Sequence, residues 1–200
     1  ALREGFPLFF STSCVSLYTA ANSVILGLLT NDAAVGYYVA AEKIVGAVRS
    51  LMSPVSQAIY PRLSRLAAAS RERALYWSRT LLLVMGGGGA ILSAGLLVAA
   101  PLITRVLLGS RFEPAIPVVR ILAPLAVLVG LSNVFGIQMM LPFGRDRAFT
   151  AILFSAGVIN VGLALALAPR WQASGMAAAV LVSELFVAVA MAAYLVASRL

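Results

Sequence analysis

The chain is 200 residues long, 62% hydrophobic and 11% charged, with a mean hydropathy of +0.98. Soluble domains carry about 25% charged residues and about 45–50% apolar ones, so this composition excludes an ordinary soluble core and points to an integral membrane protein. Fifteen basic residues against seven acidic give a net charge of +8, and with no histidine and a single cysteine, Cys14, the chain can build neither a Cys/His zinc site, an intramolecular disulfide nor a Ser-His-Asp or Cys-His pair.

The basic excess would suggest nucleic acid in a soluble chain. No soluble domain is present to offer a basic groove, and neither an aromatic RNA-binding motif nor a zinc-finger spacing occurs. Membrane topology and an anionic ligand explain the charge better, and no nucleic-acid partner, metal or cofactor is expected.

A helix crosses a bilayer in about 20 mostly apolar residues. Six windows qualify, at about 5–29, 35–60, 78–104, 115–141, 148–168 and 174–196. The expected fold is therefore all-α, a single six-helix membrane lobe over residues 1–200. The breaks carry turn chemistry: TNDAA, PRLSRLAAASRERA, GSRFEP, PFGRDR and PRWQAS.

In the first span Ser11, Tyr18 and Asn22 share a face, and Cys14 reads as a small buried residue. The second span opens with AAEKIVGAVRSLMSP, three charges in a greasy run. On a helical wheel counted from Glu42, Gly46, Arg49, Ser53, Ser56, Gln57 and Tyr60 all fall within about 60° of it, with Lys43 and Ser50 beside them at about 80–100°. Ile44, Val45, Val48, Leu51, Met52, Val55 and Ile59 occupy the opposite arc. A charge facing lipid at mid-bilayer costs on the order of 3 kcal/mol or more, so the polar face is expected to look into protein or a wet cavity. Glu42 and Arg49 lie about 10.5 Å apart along the axis, too far for a direct pair, which favours the wet cavity.

Pro54 and, in the fourth span, Pro124 predict kinks, with Pro61 placed at the end of the second span. MGGGGA in the third span predicts close helix packing, with a hinge as the sharper reading. The fourth span carries Arg120 near its start and Asn133 and Gln138 deeper, and the fifth carries Asn160 in its middle. These amides are expected to bond between helices. Glu184 sits mid-way along the sixth span, where a carboxylate must be protonated, paired or wet.

Arg and Lys in short loops set orientation. Arg3, Arg62, Arg65, Arg71, Arg73, Arg79, Arg145, Arg147 and Arg199 fall on one side, against Arg105, Arg111, Arg170 and at most Arg120 on the other. Both termini and the 61–79 segment are thus expected in the cytoplasm, the segment continuing the second helix and then lying on the anionic inner leaflet.

The run ALREGFPLFFSTSCVSLYTAANSVILGLLTNDAAVGYYVAAEKI, with PVSQAIYPRLSRL, GIQMMLPFGRDRAFT, AGVINVGLALALAP and ASGMAAAVLVSEL after it, resembles the C-terminal half of Wzx-type polysaccharide-repeat flippases. These form a branch of the multidrug/oligosaccharidyl-lipid/polysaccharide exporter superfamily, and the likeness covers essentially the whole chain. It implies half of a two-lobe, MATE-like transporter in the inner (plasma) membrane, without enzyme activity. The implied partners are membrane lipids, a lipid-linked oligosaccharide with its anionic pyrophosphate, and either an N-terminal lobe or a second copy. On that reading Arg49, Lys43, Arg120, Gln57, Tyr18 and Asn22 are the candidate substrate-binding residues. Relatives often carry an acid where Asn22 stands, and an amide cannot titrate, so Glu42 and Glu184 are the ion-coupling candidates. The competing expectations are a cation-coupled multidrug exporter of the same superfamily and a non-transporting scaffold. A glycan-joining membrane enzyme is disfavoured by short outer connections and by the lack of paired carboxylates on a loop.

Overall fold

The computed structural model describes residues 21–69 and 71–198. Among these the chain is helical, with no strand. The elements are α1 (described over 21–29), α2 (Asp32–Ser50), α3 (Ser53–Ala69) and α4 (Arg71–Leu108), then a 3₁₀ turn (Ser110–Phe112), α5 (Ala115–Leu122), α6 (Leu125–Asn133), a π-helical stretch (Val134–Met140) and α7 (Asp146–Ala197).

Prolines explain why two expected spans appear as broken helices. Pro54 has no N–H to give the Ser50 carbonyl, and its ring crowds that oxygen. Accordingly α2 stops at Ser50, residues 51 and 52 form a turn, and α3 starts at Ser53. Pro124 separates α5 from α6 in the same way. Helix α3 runs through Pro61 to Ala69, so the basic 61–69 stretch continues the helix, as expected, past the end of the second window.

The breaks at TNDAA, GSRFEP and PFGRDR match their turn chemistry, whereas PRLSRLAAASRERA is helical over its described residues, 61–69 and 71–74. Asn31 caps α2, its Oδ1 accepting from the Ala34 N–H at 2.9 Å. Gly109 and Gly144 sit at φ 82° and 68°, where a side chain is disfavoured, in the GSRFEP and PFGRDR breaks. Helix α7, 52 residues long, would measure about 78 Å if straight, over twice a bilayer. It folds at Gln172 (φ 48°, ψ −128°), giving arms of 146–171 and 173–197 that correspond to the fifth and sixth expected spans. Gly175 packs directly on the Leu167 carbonyl across that corner, leaving no room for a side chain.

Packing divides into two buried clusters. One gathers Leu26, Tyr38, Val45, Leu96, Val119, Leu122 and Met176 from α1, α2, α4, α5 and α7. The other gathers Leu63, Met85, Val134, Met140, Phe149 and Met191 from α3, α4, the π stretch and α7. Large apolar side chains also point outward, among them Leu83, Ile91, Val98, Leu102 and Val106 on α4 and Phe154, Val158 and Val189 on α7. Exposed aliphatic surface on this scale is what lipid requires and water penalises. Tyr76–Leu108, Ala115–Met140 and α7 are each long and apolar enough to cross a membrane. This is a multi-pass membrane protein.

The glycine run belongs to the packing. A Cβ on Gly89 would lie 2.7 Å from the Val127 Cα and 2.9 Å from the Ala126 carbonyl oxygen. One on Gly130 would lie 3.2 Å from the Met85 carbonyl oxygen. Helices α4 and α6 therefore touch backbone to backbone. Gly87, two residues from Gly89, faces open space. Gly89→Val is expected to destabilise the protein by roughly 1–3 kcal/mol or more through overpacking, while Gly87→Ala is neutral or stabilises by up to about 1 kcal/mol. Thermal unfolding of the two variants in detergent checks the contrast.

Candidate functional site

The polar face of α2 and α3 lines a chain of three cavities. The first, about 210 Å³, is walled by Asn22, Tyr38, Glu42, Gly46 and Arg49, with Glu184 contributed by the second arm of α7. The second, also about 210 Å³, shares Gly46, Arg49 and Val129 with it and adds Ser50, Met52, Ser53, Ser56, Gly130 and Asn133. The third, about 380 Å³, shares Ser53, Ser56 and Asn133 with the second and adds Gln57, Tyr60, Ile137 and Gln138. Because neighbours share walls, the three form one trench. From Glu42 to Tyr60 it follows eighteen residues, about 27 Å at helical rise, close to the thickness of a bilayer core.

The turn at 51–52 does not scatter the face. Eight of the nine positions grouped by the wheel, all but Lys43, line the trench on both sides of the break. Arg49 stands in the last turn of α2, where a cation suits the helix dipole, and its half-buried side chain borders the first two cavities. No ion pair joins it to Glu42, as their separation along the axis requires.

Hydrogen bonds brace the deeper wall. The Gln138 Nε2 donates to the Ser56 carbonyl and to the Ser56 Oγ, both at 3.0 Å, and the Ser56 Oγ donates in turn to the Asn133 Oδ1 at 2.6 Å. Such a relay polarises each member. The π stretch makes the reach possible, because its wider turn shifts the register between Asn133 and Gln138 so that both face Ser56. Asn133 and Gln138 thus do the interhelical bonding expected of them. Asn160 does not, since both polar atoms of its side chain are fully buried without a partner among the described residues.

The predicted site residues fall into groups. Arg49, Glu42, Asn22 and Glu184 converge on the first cavity, and Gln57 lies in the third. Lys43 and Arg120 are set apart. Both are exposed and neither lines any of the three cavities, because Lys43 is turned about 100° from Glu42 and Arg120 lies on the face of α5 opposite its buried residues Val118, Val119 and Leu122. Tyr18 lies outside the described residues. The first cavity therefore holds one arginine beside two carboxylates, rather than the several cations that Arg49, Lys43 and Arg120 together would bring. Tyr38, buried beside Asn22, was missed, although extending the wheel one turn back puts it at about 320°, in line with Arg49.

Comparisons with known proteins agree on kinship. The model of a family described as polysaccharide biosynthesis protein matches residues 1–67. A protein of Escherichia coli (strain K12) named "Putative O-antigen transporter" is 34% identical over 187 residues, 94% of this chain and 45% of that protein. A Shigella dysenteriae protein of the same name is 26% identical over 189 residues, 94% of this chain and 46% of its own length. The chain spans somewhat under half the length of these curated relatives. Among solved structures, a MOP superfamily transporter from Pyrococcus furiosus superposes with a TM-score of 0.82 at 20% identity, over 99% of this chain and 44% of that one. It is described as having a binding pocket of reverse polarity that suggests a different function.

The amide relay predicts a stability effect. Gln138→Leu takes the donor from a buried hydroxyl and carbonyl and is expected to cost about 1–3 kcal/mol. Melting of the purified variant beside Ser56→Ala checks it, the double variant losing less than the sum of the two single ones.

Proposed function

We propose, for a chain that belongs to the Wzx-type polysaccharide transporter family, that it forms one wall of the path by which a polyprenyl-pyrophosphate-linked oligosaccharide passes from the inner to the outer leaflet of the inner membrane. The observation that carries this reading is the trench, with Arg49 in the wall shared by its first two cavities. A planar guanidinium matches two phosphate oxygens at once, and in partly dry surroundings such a pair is worth more than in water. The opposite wall would come from a second six-helix lobe or a second copy of this chain. The excess of arginines at 61–79 supports a cytoplasmic position for that segment, which puts the Tyr60 end of the trench at the cytoplasmic mouth.

The test is surface-polysaccharide export in cells that depend on this protein. Arg49→Ala is expected to reduce export about 10–100-fold, the range set by one charge-assisted contact of about 1.5–3 kcal/mol, with Arg49→Lys intermediate. Undiminished export by Arg49→Ala at normal protein level overturns the role of Arg49.

One observation favours the second reading, a cation-coupled exporter of cationic compounds. Glu42 and Glu184 face the same cavity as Arg49, so with both ionised its formal balance is negative. On the leading reading these carboxylates are instead the proton or sodium sites that couple transport. Glu42→Gln and Glu184→Gln separate the two. Loss of ion dependence with retained binding of lipid-linked sugar supports coupling, and binding of ethidium-like cations that either change abolishes supports export of cations.

A further inference from the structure

The trench changes character along its length. Its formal charges, Glu42, Arg49 and Glu184, all border the first two cavities. The third cavity has none. It is walled by amides, hydroxyls and one aromatic ring, chiefly Gln57, Tyr60, Asn133, Gln138 and Ser53. At about 380 Å³ it is the largest of the three and falls in the range of small-molecule sites. Gln138, in its wall, is 1% exposed, its Nε2 held by Ser56 and its Oε1 buried without a hydrogen-bond partner among the described residues. A buried acceptor left open costs free energy unless water or a ligand donor reaches it. The exposed Gln57 amide and the half-buried Tyr60 supply donors and acceptors, and the Tyr60 ring offers an apolar face.

Neutral donors and acceptors around a flat apolar face suit a ligand dense in hydroxyls that also has a C–H face. That describes a pyranose. We infer that the third cavity is a neutral-sugar subsite that reads the glycan, separate from the anion contact at Arg49. The inference rests on the transport reading and divides its labour, with phosphate charge at Arg49 and sugar hydroxyls at the amide cluster around Gln57, about 12 Å further along at helical rise.

The experiment compares two probes on the protein as the cell makes it, in lipid nanodiscs: a polyprenyl pyrophosphate carrying a neutral hexose oligosaccharide, and the same lipid without sugar. The expected result is at least about tenfold tighter binding of the sugar-bearing lipid, as one pocket of hydrogen-bonding groups can deliver. Gln57→Ala and Tyr60→Ala should reduce that preference to under about threefold and leave bare-lipid affinity unchanged, whereas Arg49→Ala should weaken both probes alike. Tyr60→Phe, which keeps the ring, should lose only part of the preference. Equal binding of both probes by the unaltered protein overturns the subsite and leaves the transport reading standing. An equal loss for both probes in Gln57→Ala and Tyr60→Ala also overturns the subsite. No binding of either probe overturns the transport reading and the subsite with it.

Discussion

The structure depends on one constraint: in lipid, a backbone carbonyl freed from its helix finds no water to replace the lost donor. Pro54 and Pro124 leave the Ser50 and Arg120 carbonyls without their helical donors, as Pro61, Pro101 and Pro169 do for others inside α3, α4 and α7. Polar side chains bond neighbouring carbonyls beside the breaks at Pro54 and Pro124. Beside the Pro124 break, the Ser93 hydroxyl of α4 donates to the Ala123 carbonyl at 2.9 Å. Past the Pro54 break, Gln138 reaches across from the π stretch to the Ser56 carbonyl. The side chains that brace these kinks therefore lie in the walls between helices, and at α3 that wall is also the trench. Polar groups that brace the helices and groups that face the trench are thus neighbours on α3.

Charge placement follows a second rule. Arg49 at the end of α2 costs less than it would at mid-helix, because the last carbonyls of the helix point toward it. The break after Ser50 thus does two things at once: it interrupts the helical run and supplies a favourable site for a cation at the end of α2. The one exposed ion pair among the described residues, Arg105 Nε to Glu113 Oε1 at 3.0 Å, has a humbler part. It ties the end of α4 to the turn after it, where solvent leaves such pairs worth at most about 1 kcal/mol.

Much of this was legible in the sequence, and what was not has identifiable reasons. Hydropathy pointed to the long apolar helices over Tyr76–Leu108, Ala115–Met140 and Asp146–Ala197, and the wheel grouped Glu42, Arg49, Ser53, Ser56, Gln57 and Tyr60, because a helix preserves the angular order of its residues. Neighbours from other helices were harder to reach. Glu184 beside Glu42 depends on how the second arm of α7 packs. The exclusion of Arg120 from the trench depends on how α5 turns its buried face inward. The π stretch has no strong sequence signal, and without it the register that lets Gln138 reach Ser56 could not be foreseen. The fold at Gln172 was placed correctly by PRWQAS, though a non-glycine at positive φ there carries strain of about 1–3 kcal/mol that composition does not announce.

The glycine seam has a mechanical consequence. Where α4 and α6 meet at Gly89 and Val127 and at Gly130 and Met85, no side chain lies between the backbones to change rotamer or slide. The two helices can only travel as one body. The Met52 side chain, from the turn between α2 and α3, rests against this seam at Gly88. Of the two sides of the trench, α4–α6 is thus the keel and the jointed α2–α3 segment the tiller. That joint, at residues 51 and 52, is held by the short bonds from the Leu51 N–H to the Val48 carbonyl at 3.2 Å and from the Met52 N–H to the Arg49 carbonyl at 3.1 Å, and the Met52 side chain rests it on α4.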